Sequence, residues 1–395
     1  MKLPLPTKIS YLISHPIQYF TPLFRQLSQQ QEIDLTVYYC SDTSKTGHVD
    51  KGFSTKIIWD IPLLGGYRHI FLNNLFLTTS LDNRFWSLIN FSIVKSLFYD
   101  KSDIVIIHGW GYFTNFLAVI TAKVLGKQVW LRGENPFNQE VKKPKLIRMM
   151  KKIILQFGLF KLVDRFLYIG SQNRDFYIYY GVKRNKFLYA PYCVDNTYFK
   201  AQHRNLLHQR DNIRKHYNVP LDCVVILFSG KFIQKKRPLD LLKAYALLKD
   251  LPVALIMVGE GELRKPMEDF IVQSNLKDVL LTGFINQSEI GKFYSLADIF
   301  VLPSGAGETW GLVVNEAMLF QLPIVVSNAV GCAGDLVVSG ENGFIFKEGD
   351  VDELARRLSE LTTKSELRKT LGDRSGKIIE NFDYSVMVNG IKREL

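Results

Sequence analysis

The chain has little of what would staple a small domain or span a bilayer. Its 395 residues include four cysteines, Cys40, Cys193, Cys223 and Cys332, scattered without paired spacing. That spacing excludes a disulfide framework and a cysteine-based zinc site, and predicts reduced thiols in a cytoplasmic protein. No uncharged apolar run reaches the ~18 residues that a membrane-spanning helix needs. Met1–Thr7 is short, carries two prolines and does not read as a secretory leader. Zinc-finger spacing, a helix-turn-helix and RNP-type patterns are all missing, so nucleic acid is not an expected partner. Acid is scarce relative to base: 38 Asp and Glu stand against 50 Lys and Arg, a net charge of +12. Such an excess calls for an acidic partner, a nucleotide or an anionic membrane surface. The length exceeds one ordinary core and predicts two domains of roughly 150–200 residues. A hydrophobic content of 47% is ample for both.

What is present is a succession of short apolar runs, each ended by a polar or glycine-rich turn. The most informative stretch is Ile299–Phe346. Ile299–Leu302 reads as a buried strand, followed by a loop with Gly305, Gly307 and Gly311. An apolar helix over Leu312–Phe320 is stopped by Pro323, and Ile324–Val326 is a second strand. This is a βαβ unit, whose ligands sit at the carboxyl ends of the strands. The helix start near Trp310, Gly311 and Leu312 suits a phosphate. Glu308 and Glu316 frame that start. Two acids so placed suit a ligand with hydroxyls at two places and a phosphate bridge between them, which is the layout of a nucleotide-sugar. The alternative is a solvated loop acid and a surface helix acid, and spacing does not separate the two readings.

Upstream, Val224–Phe228 is a strand running into Gly230, Lys231, Lys235, Lys236 and Arg237. A strand, a glycine and clustered cations before a helix suit a diphosphate, whereas the plainer reading is a solvated basic loop. Val253–Val258 leads into Gly259-Glu260-Gly261-Glu262, a weak phosphate signal that equally suits a tight turn. Val279–Thr282 leads into Gly283-Phe284-Ile285. Asp350-Val351-Asp352 spells D-x-D. We read it as Asp350 capping the helix Val351–Leu361, with Glu353 completing a capping box. No catalytic metal is expected.

In the first half, Lys8–Ser14 is a strand, His15-Pro16-Ile17-Gln18-Tyr19 a turn, and a helix runs on through Leu27. Ile33–Cys40 is a second strand. Ser41–Gly66 reads as a long loop with one edge strand near Lys56–Trp59. Phe71–Tyr99 is rich in aromatics, with a helical part that packs inside the first domain and a portion that could meet lipid. Ile104–Ile107 is a strand ending at His108, then a helix over Thr114–Leu125 stops at Gly126. Gln128–Leu131 ends at Arg132 and Glu134. Phe166–Ile169 and Phe187–Ala190 close the first domain, and His203–Lys215 reads as an irregular charged connection. The segment 142–165 mixes Lys142, Lys143, Lys145, Arg148, Lys151, Lys152, Lys161 and Arg165 with Leu, Ile, Met and Phe. As a basic amphipathic helix it suits an anionic membrane surface; the plainer alternative is a helix packed on the sheet with a solvated basic edge.

Glu308 and Glu316, in the setting GETWGLVVNEAM, resemble the E-x7-E signature of retaining glycosyltransferases of family four. The resemblance implies an α/β fold of the GT-B type, with two Rossmann-like doubly wound domains facing a central cleft. It places the N-terminal, acceptor-binding domain at 1–198, with 381–395 crossing back onto it. The C-terminal, nucleotide-sugar-binding domain is then 199–380. It gives Glu308 the donor sugar and Glu316 the ribose. Lys231 stands for the arginine, and Lys236 for the lysine, that hold the diphosphate in relatives. Gly230, Gly307, Trp310, Gly311 and Leu312 fall on the same donor site, and Gly283 and Ile285 on the nucleobase edge. His15, Gln18 and Tyr19 match an HP-x-QY version of the acceptor-side loop. Arg132 stands where many relatives have a histidine thought to aid the acceptor. Glu134 or His108 could serve as base instead, or no protein base is needed. Pro191–Asp195 partly matches the interdomain hinge. The implied activity is retaining, metal-independent sugar transfer in cell-surface polysaccharide synthesis, without a cofactor. The nucleotide-sugar is the co-substrate and the acceptor a saccharide or lipid-linked glycan. The expected place is the cytoplasmic face of the cell membrane, peripherally bound. Two alternatives remain on the same fold: a non-hydrolysing nucleotide-sugar 2-epimerase and an inactive membrane adaptor.

Overall fold

The computed structural model describes residues 5–43, 48–50, 55–57, 59–75 and 84–395. The chain divides into two compact units. Unit 1 is Met1–His48, Ile61–Pro191 and Tyr384–Leu395; unit 2 is Val49–Asp60 and Tyr192–Asp383.

Unit 1 begins with β1 (Thr7–Ile13) and β2 (Ile33–Tyr39). The short strands β3 (His48–Asp50) and β4 (Thr55–Ile57) form a separate two-stranded sheet that, but for His48, falls in unit 2. Then follow β5 (Arg68–Phe71), β6 (Ile104–His108), β7 (Gln128–Arg132), β8 (Arg165–Tyr168) and β9 (Phe187–Tyr189). The main sheet has seven strands in the order β5-β2-β1-β6-β7-β8-β9. Every neighbouring pair is parallel. Parallel sheets carry helices on both faces, which is why their strands read as unbroken apolar runs rather than alternating ones. The four apolar residues of β6, Ile104 to Ile107, are all buried. The chain winds outward from β1 through β2 to β5 and returns beside β1 with β6. The switch point of this sheet therefore lies between the ends of β1 and β6.

Unit 2 repeats the design with β10 (Val224–Ser229), β11 (Val253–Val258), β12 (Val279–Gly283), β13 (Ile299–Leu302), β14 (Ile324–Ser327) and β15 (Gly343–Phe346). Its six strands, in the order β12-β11-β10-β13-β14-β15, are again parallel. Here the switch point lies between β10 and β13. The C-terminal helix Tyr384–Lys392 packs in unit 1, where the Tyr384 hydroxyl donates to the Tyr19 carbonyl at 2.6 Å and Lys392 pairs with Glu32 at 3.1 Å.

Several local expectations change. The division between units falls within the Pro191–Asp195 run rather than at 198/199, and Asp195 caps the next helix by accepting from the Tyr198 N–H at 3.0 Å. The charged stretch 203–215 is not irregular: it lies in the helices Asn196–Leu206 and Arg210–His216. Its charges obscure the period because they make tertiary contacts. Buried Arg214 donates to the carbonyls of Leu296 and Cys223 and pairs with Asp298 at 2.7 Å. Residues 49–60 belong with unit 2, not with the first domain. Asp60 there accepts from the Ser288 hydroxyl, and Trp59 meets Phe284 edge-on at 6.1 Å. The edge strand expected near Lys56–Trp59 is β4, and Ile58 lies outside the described residues. The aromatic stretch 71–99 supplies the helix Ser92–Asp100, which buries Ile93 and Leu97 and exposes Phe98 and Tyr99; residues 76–83 lie outside the described residues.

Candidate functional site

Two loops meet at the unit 2 switch point. One follows β10 and carries Lys231, Lys235 and Lys236; the other follows β13 and carries the glycines and Glu308. They are stitched together by charge and by backbone. Lys236 pairs with the Glu308 carboxylate, and the Lys235 ammonium donates to the Gly307 carbonyl at 3.0 Å. The Gly305 N–H donates to the Lys235 carbonyl at 2.8 Å. Glu308 is 7% exposed, which excludes a solvated loop acid. Burial pushes its carboxyl up, but Lys236 and Lys235 outweigh burial and hold it below the usual carboxylate range. It is a desolvated carboxylate kept ionised by two cations.

The helix Leu312–Leu319 starts immediately after this loop, with Gly311 as its cap. Gly311 has φ 100°, in the left-handed region, and an added Cβ would lie 2.9 Å from Leu302 Cδ2. The first N–H groups of a helix lack intrahelical partners, so Leu312 opens a donor-rich end beside the lysines. Trp310 is buried, and its indole N–H donates to Asn315 Oδ1 at 2.9 Å. Trp310 therefore fixes the loop against the helix. Asn315 in turn donates to the Tyr192 carbonyl at 3.1 Å. Glu316, also buried, is no surface acid: its Oε2 accepts from the Tyr294 hydroxyl at 2.7 Å.

Sequence reasoning missed three parts of this assembly: Tyr294, Asn315 and Gly331. The Gly331 N–H donates to the Glu308 carbonyl at 3.1 Å, and a Cβ on Gly331 would sit 1.8 Å from the Thr309 carbonyl oxygen. Only glycine permits that approach. The NAVGCAG run held the signal, but nothing local indicated which backbone it meets.

The remaining donor-side candidates are placed at neighbouring strand ends. Gly230 donates its N–H to the Val258 carbonyl at 2.9 Å. The Gly283 carbonyl accepts from the Gly259 N–H at 3.0 Å, and Ile285 follows it, half-buried. The Glu260 of the GEG turn pairs with Arg264 at 2.9 Å, which matches the tight-turn reading. Asp350 caps its helix by accepting from the Glu353 N–H at 2.9 Å. Glu353 does not complete a capping box; its carboxylate pairs with Arg356 and Arg357, and the Asp350 N–H donates to Lys347 instead.

In unit 1 the ends of β6 and β7 bring His108 and Glu134 together, Nε2 to Oε1 at 2.8 Å. The Tyr11 hydroxyl lies 3.4 Å from the other ring nitrogen, and Phe20 packs against the imidazole edge-on. Arg132 is a different matter. It is 1% exposed, stacks its guanidinium over Phe20 and donates to the Ala190 carbonyl at 2.9 Å. Buried there, it braces β7 against the chain beyond β9. His15 Nδ1 lies 2.9 Å from the Ser14 hydroxyl, and Gln18 is buried. Tyr19 gives its carbonyl to Tyr384.

The segment 142–165 forms the helix Lys145–Phe157 and a turn over Leu159–Leu162. Only Leu155 of that helix is buried, while Leu146, Ile147, Met149, Met150, Ile153, Ile154 and Phe157 are exposed. Lys151 does not belong to a solvated basic edge. It pairs with buried Glu140 at 2.9 Å and lies over the Phe176 ring. Among the described residues no helix is long and apolar enough to cross a membrane.

Residues 209–377, within unit 2, match the family model described as Glycosyl transferases group 1. The chain is 30% identical over 167 residues to an uncharacterized glycosyltransferase of Methanocaldococcus jannaschii, covering 42% of this chain and 46% of the relative. To CapM, a capsular polysaccharide biosynthesis glycosyltransferase of Staphylococcus aureus, it is 29% identical over 217 residues, 54% of this chain and 52% of CapM. The chain thus spans about half the length of these curated relatives. Among solved structures, Anabaena HepE in complex with UDP and glucose superposes with a TM-score of 0.72 at 16% identity, over 98% of this chain and 99% of that one. The fold is therefore that of GT-B glycosyltransferases, two parallel-sheet Rossmann-like domains.

Proposed function

We propose that this chain is a retaining, metal-independent glycosyltransferase that draws its sugar from a nucleotide-sugar held at the β10/β13 switch point. One observation carries the reading. Glu308 is buried, ionised and paired with Lys236 at the carboxyl end of two adjacent strands, beside a helix start. A buried carboxylate held by cations at a ligand-binding position is costly to build unless a ligand uses it. CapM and HepE support the reading: one is a capsular polysaccharide biosynthesis glycosyltransferase, and the other was solved with UDP and glucose.

In this reading Lys231, Lys236 and the helix start at Leu312 neutralise the diphosphate, Glu308 orients the sugar, and Glu316 holds the ribose with Tyr294 beside it. The bond between the anomeric carbon and the diphosphate oxygen breaks with its electron pair on the diphosphate. The acceptor oxygen bonds the anomeric carbon, and its proton passes to an oxygen of the leaving diphosphate. Fixed cations at the developing negative charge lower the barrier without reorganising. The acceptor is a saccharide or lipid-linked glycan of polysaccharide synthesis, met at an anionic membrane surface through the helix Lys145–Phe157.

The test is incubation of the full chain with a panel of radiolabelled nucleotide-sugars, with and without a membrane extract. Label moving into a lipid- or glycan-bound product supports transfer. Release of a free, epimerised nucleotide-sugar replaces transfer with 2-epimerisation. No turnover and no binding of any nucleotide-sugar overturns both.

A further inference from the structure

A cavity of about 620 Å³ lies wholly within unit 1, and none of the donor residues of unit 2 lines it. Its walls are Phe116 and Ile120 from the helix Phe113–Val124, Ile154 and Phe157 from the helix Lys145–Phe157, and Leu162 from the turn beyond. The volume falls in the ~300–1,000 Å³ range of small-ligand sites. Ordinary ligand sites set a few converging polar groups among apolar walls to fix orientation. This one does not. The Asn115 side chain is spent on the His108 carbonyl and the Tyr112 N–H, which leaves Lys161 as the one charged lining residue. A site that reads only apolarity, with a single cation, suits a hydrocarbon chain ending in an anion.

The surroundings point the same way. Phe116, Ile120, Ile154 and Phe157 line the cavity and are also exposed, so it opens onto the apolar face of the helix Lys145–Phe157. Phe85, which also lines the cavity, meets Phe113 at 6.0 Å, and exposed Trp86 stacks on the same Phe113 at 5.3 Å. Aromatic rings beside exposed aliphatic residues are typical of a membrane interface. Eight Lys and Arg lie between 142 and 165; Lys143 and Lys151 pair with Glu140 and Arg165 with Glu394, and the one acid within the run, Asp164, is itself paired with Lys123. A second copy of this chain would bring two such basic rims together, at a Coulomb cost; a phosphate-rich lipid surface has the complementary charge.

We infer that this cavity takes one hydrocarbon chain of a phosphate-bearing membrane lipid, with the lipid phosphate on Lys161. The site is a chain-binding pocket set into the apolar face, and it does not depend on the donor chemistry of unit 2.

Equilibrium binding of radiolabelled hexadecyl phosphate, below its micelle concentration, to the full chain tests this. Saturable binding of one molecule per chain is expected. Ile120→Trp fills the pocket from its exposed edge and should weaken binding about tenfold, the equivalent of roughly two lost buried methylene groups. Phe157→Trp replaces it should that variant fail to fold. Lys161→Gln should weaken binding of hexadecyl phosphate and leave hexadecanol unchanged. Ile147→Ser, on the exposed face outside the pocket, should lower co-sedimentation with vesicles and leave monomeric binding intact. No saturable binding, equal binding by folded Ile120→Trp and Phe157→Trp, or a protein dimer that hexadecyl phosphate neither dissociates nor binds overturns the inference.

Discussion

Lys236 and Glu308 are ion-paired across the switch point of unit 2, between the loops that end β10 and β13. The pair makes each partner's removal a double event. Lys236→Ala leaves the buried Glu308 carboxylate with less compensation and, in the proposed reading, takes a cation from the departing diphosphate. Turnover is expected to fall by ~10²–10³, the usual effect of losing one group that stabilises developing charge. Lys231→Arg should keep most activity, since a guanidinium retains the charge and adds a bidentate fork. Initial rates at saturating donor check both, and a normal rate for Lys236→Ala contradicts the diphosphate assignment.

The same pair predicts an acid-side stability profile. Glu308 titrates lower in the folded chain than the ordinary 4.5. Between those two values the unfolded chain binds more protons than the folded one, so stability rises with pH there. The contribution is complete above the unfolded value and disappears as pH falls through the folded value. Thermal melts on acidification below about pH 4.5 should therefore drop more steeply for the wild type than for Glu308→Gln. Parallel melting curves would show that Glu308 is not the ionised, paired group described.

The lysines of the helix Lys145–Phe157 should behave differently from one another. Lys151→Glu sets a second carboxylate against Glu140, which is buried and accepts from Lys151 and Tyr180. Breaking that pair is expected to cost on the order of 3 kcal/mol of stability. Lys152 lies over the Tyr179 ring at the helix surface. Lys152→Glu should keep the melting temperature and weaken binding to anionic vesicles, an effect that salt reduces because exposed charges are screened within ~8 Å at physiological ionic strength. Thermal melts and vesicle co-sedimentation read the two effects separately; equal co-sedimentation on neutral and anionic vesicles would remove the basic-helix mechanism.

The strands and the glycine loop were legible in the sequence because parallel, doubly buried strands are continuous apolar runs, and β13 and β10 are of that kind. Glu308 and Glu316 were legible as a spacing, but their burial was not. It depends on Lys236, 72 positions from Glu308, and on Tyr294, whose hydroxyl is otherwise unremarkable in a helix. Lys151 misled for a physical reason: a cation on an amphipathic helix looks solvated, and only its tertiary partner, Glu140, shows that it is not. Residues 49–60 were assigned to the wrong unit because chain order says nothing of Ser288 or Phe284.

The central claim is that the two acids serve different parts of one nucleotide-sugar, and steady-state kinetics with varied donor test it most directly. In the proposed reading Glu308, before the helix, faces the anomeric carbon, where positive character develops, and Glu316, within the helix, faces ribose hydroxyls that do not change during reaction. Interactions made mainly in the transition state lower kcat when lost, whereas uniform binding raises KM. Glu308→Gln should lose kcat, and Glu316→Gln should chiefly raise KM for the donor. The reverse pattern would contradict the assignment of roles, and wild-type kinetics in both variants would contradict the site itself.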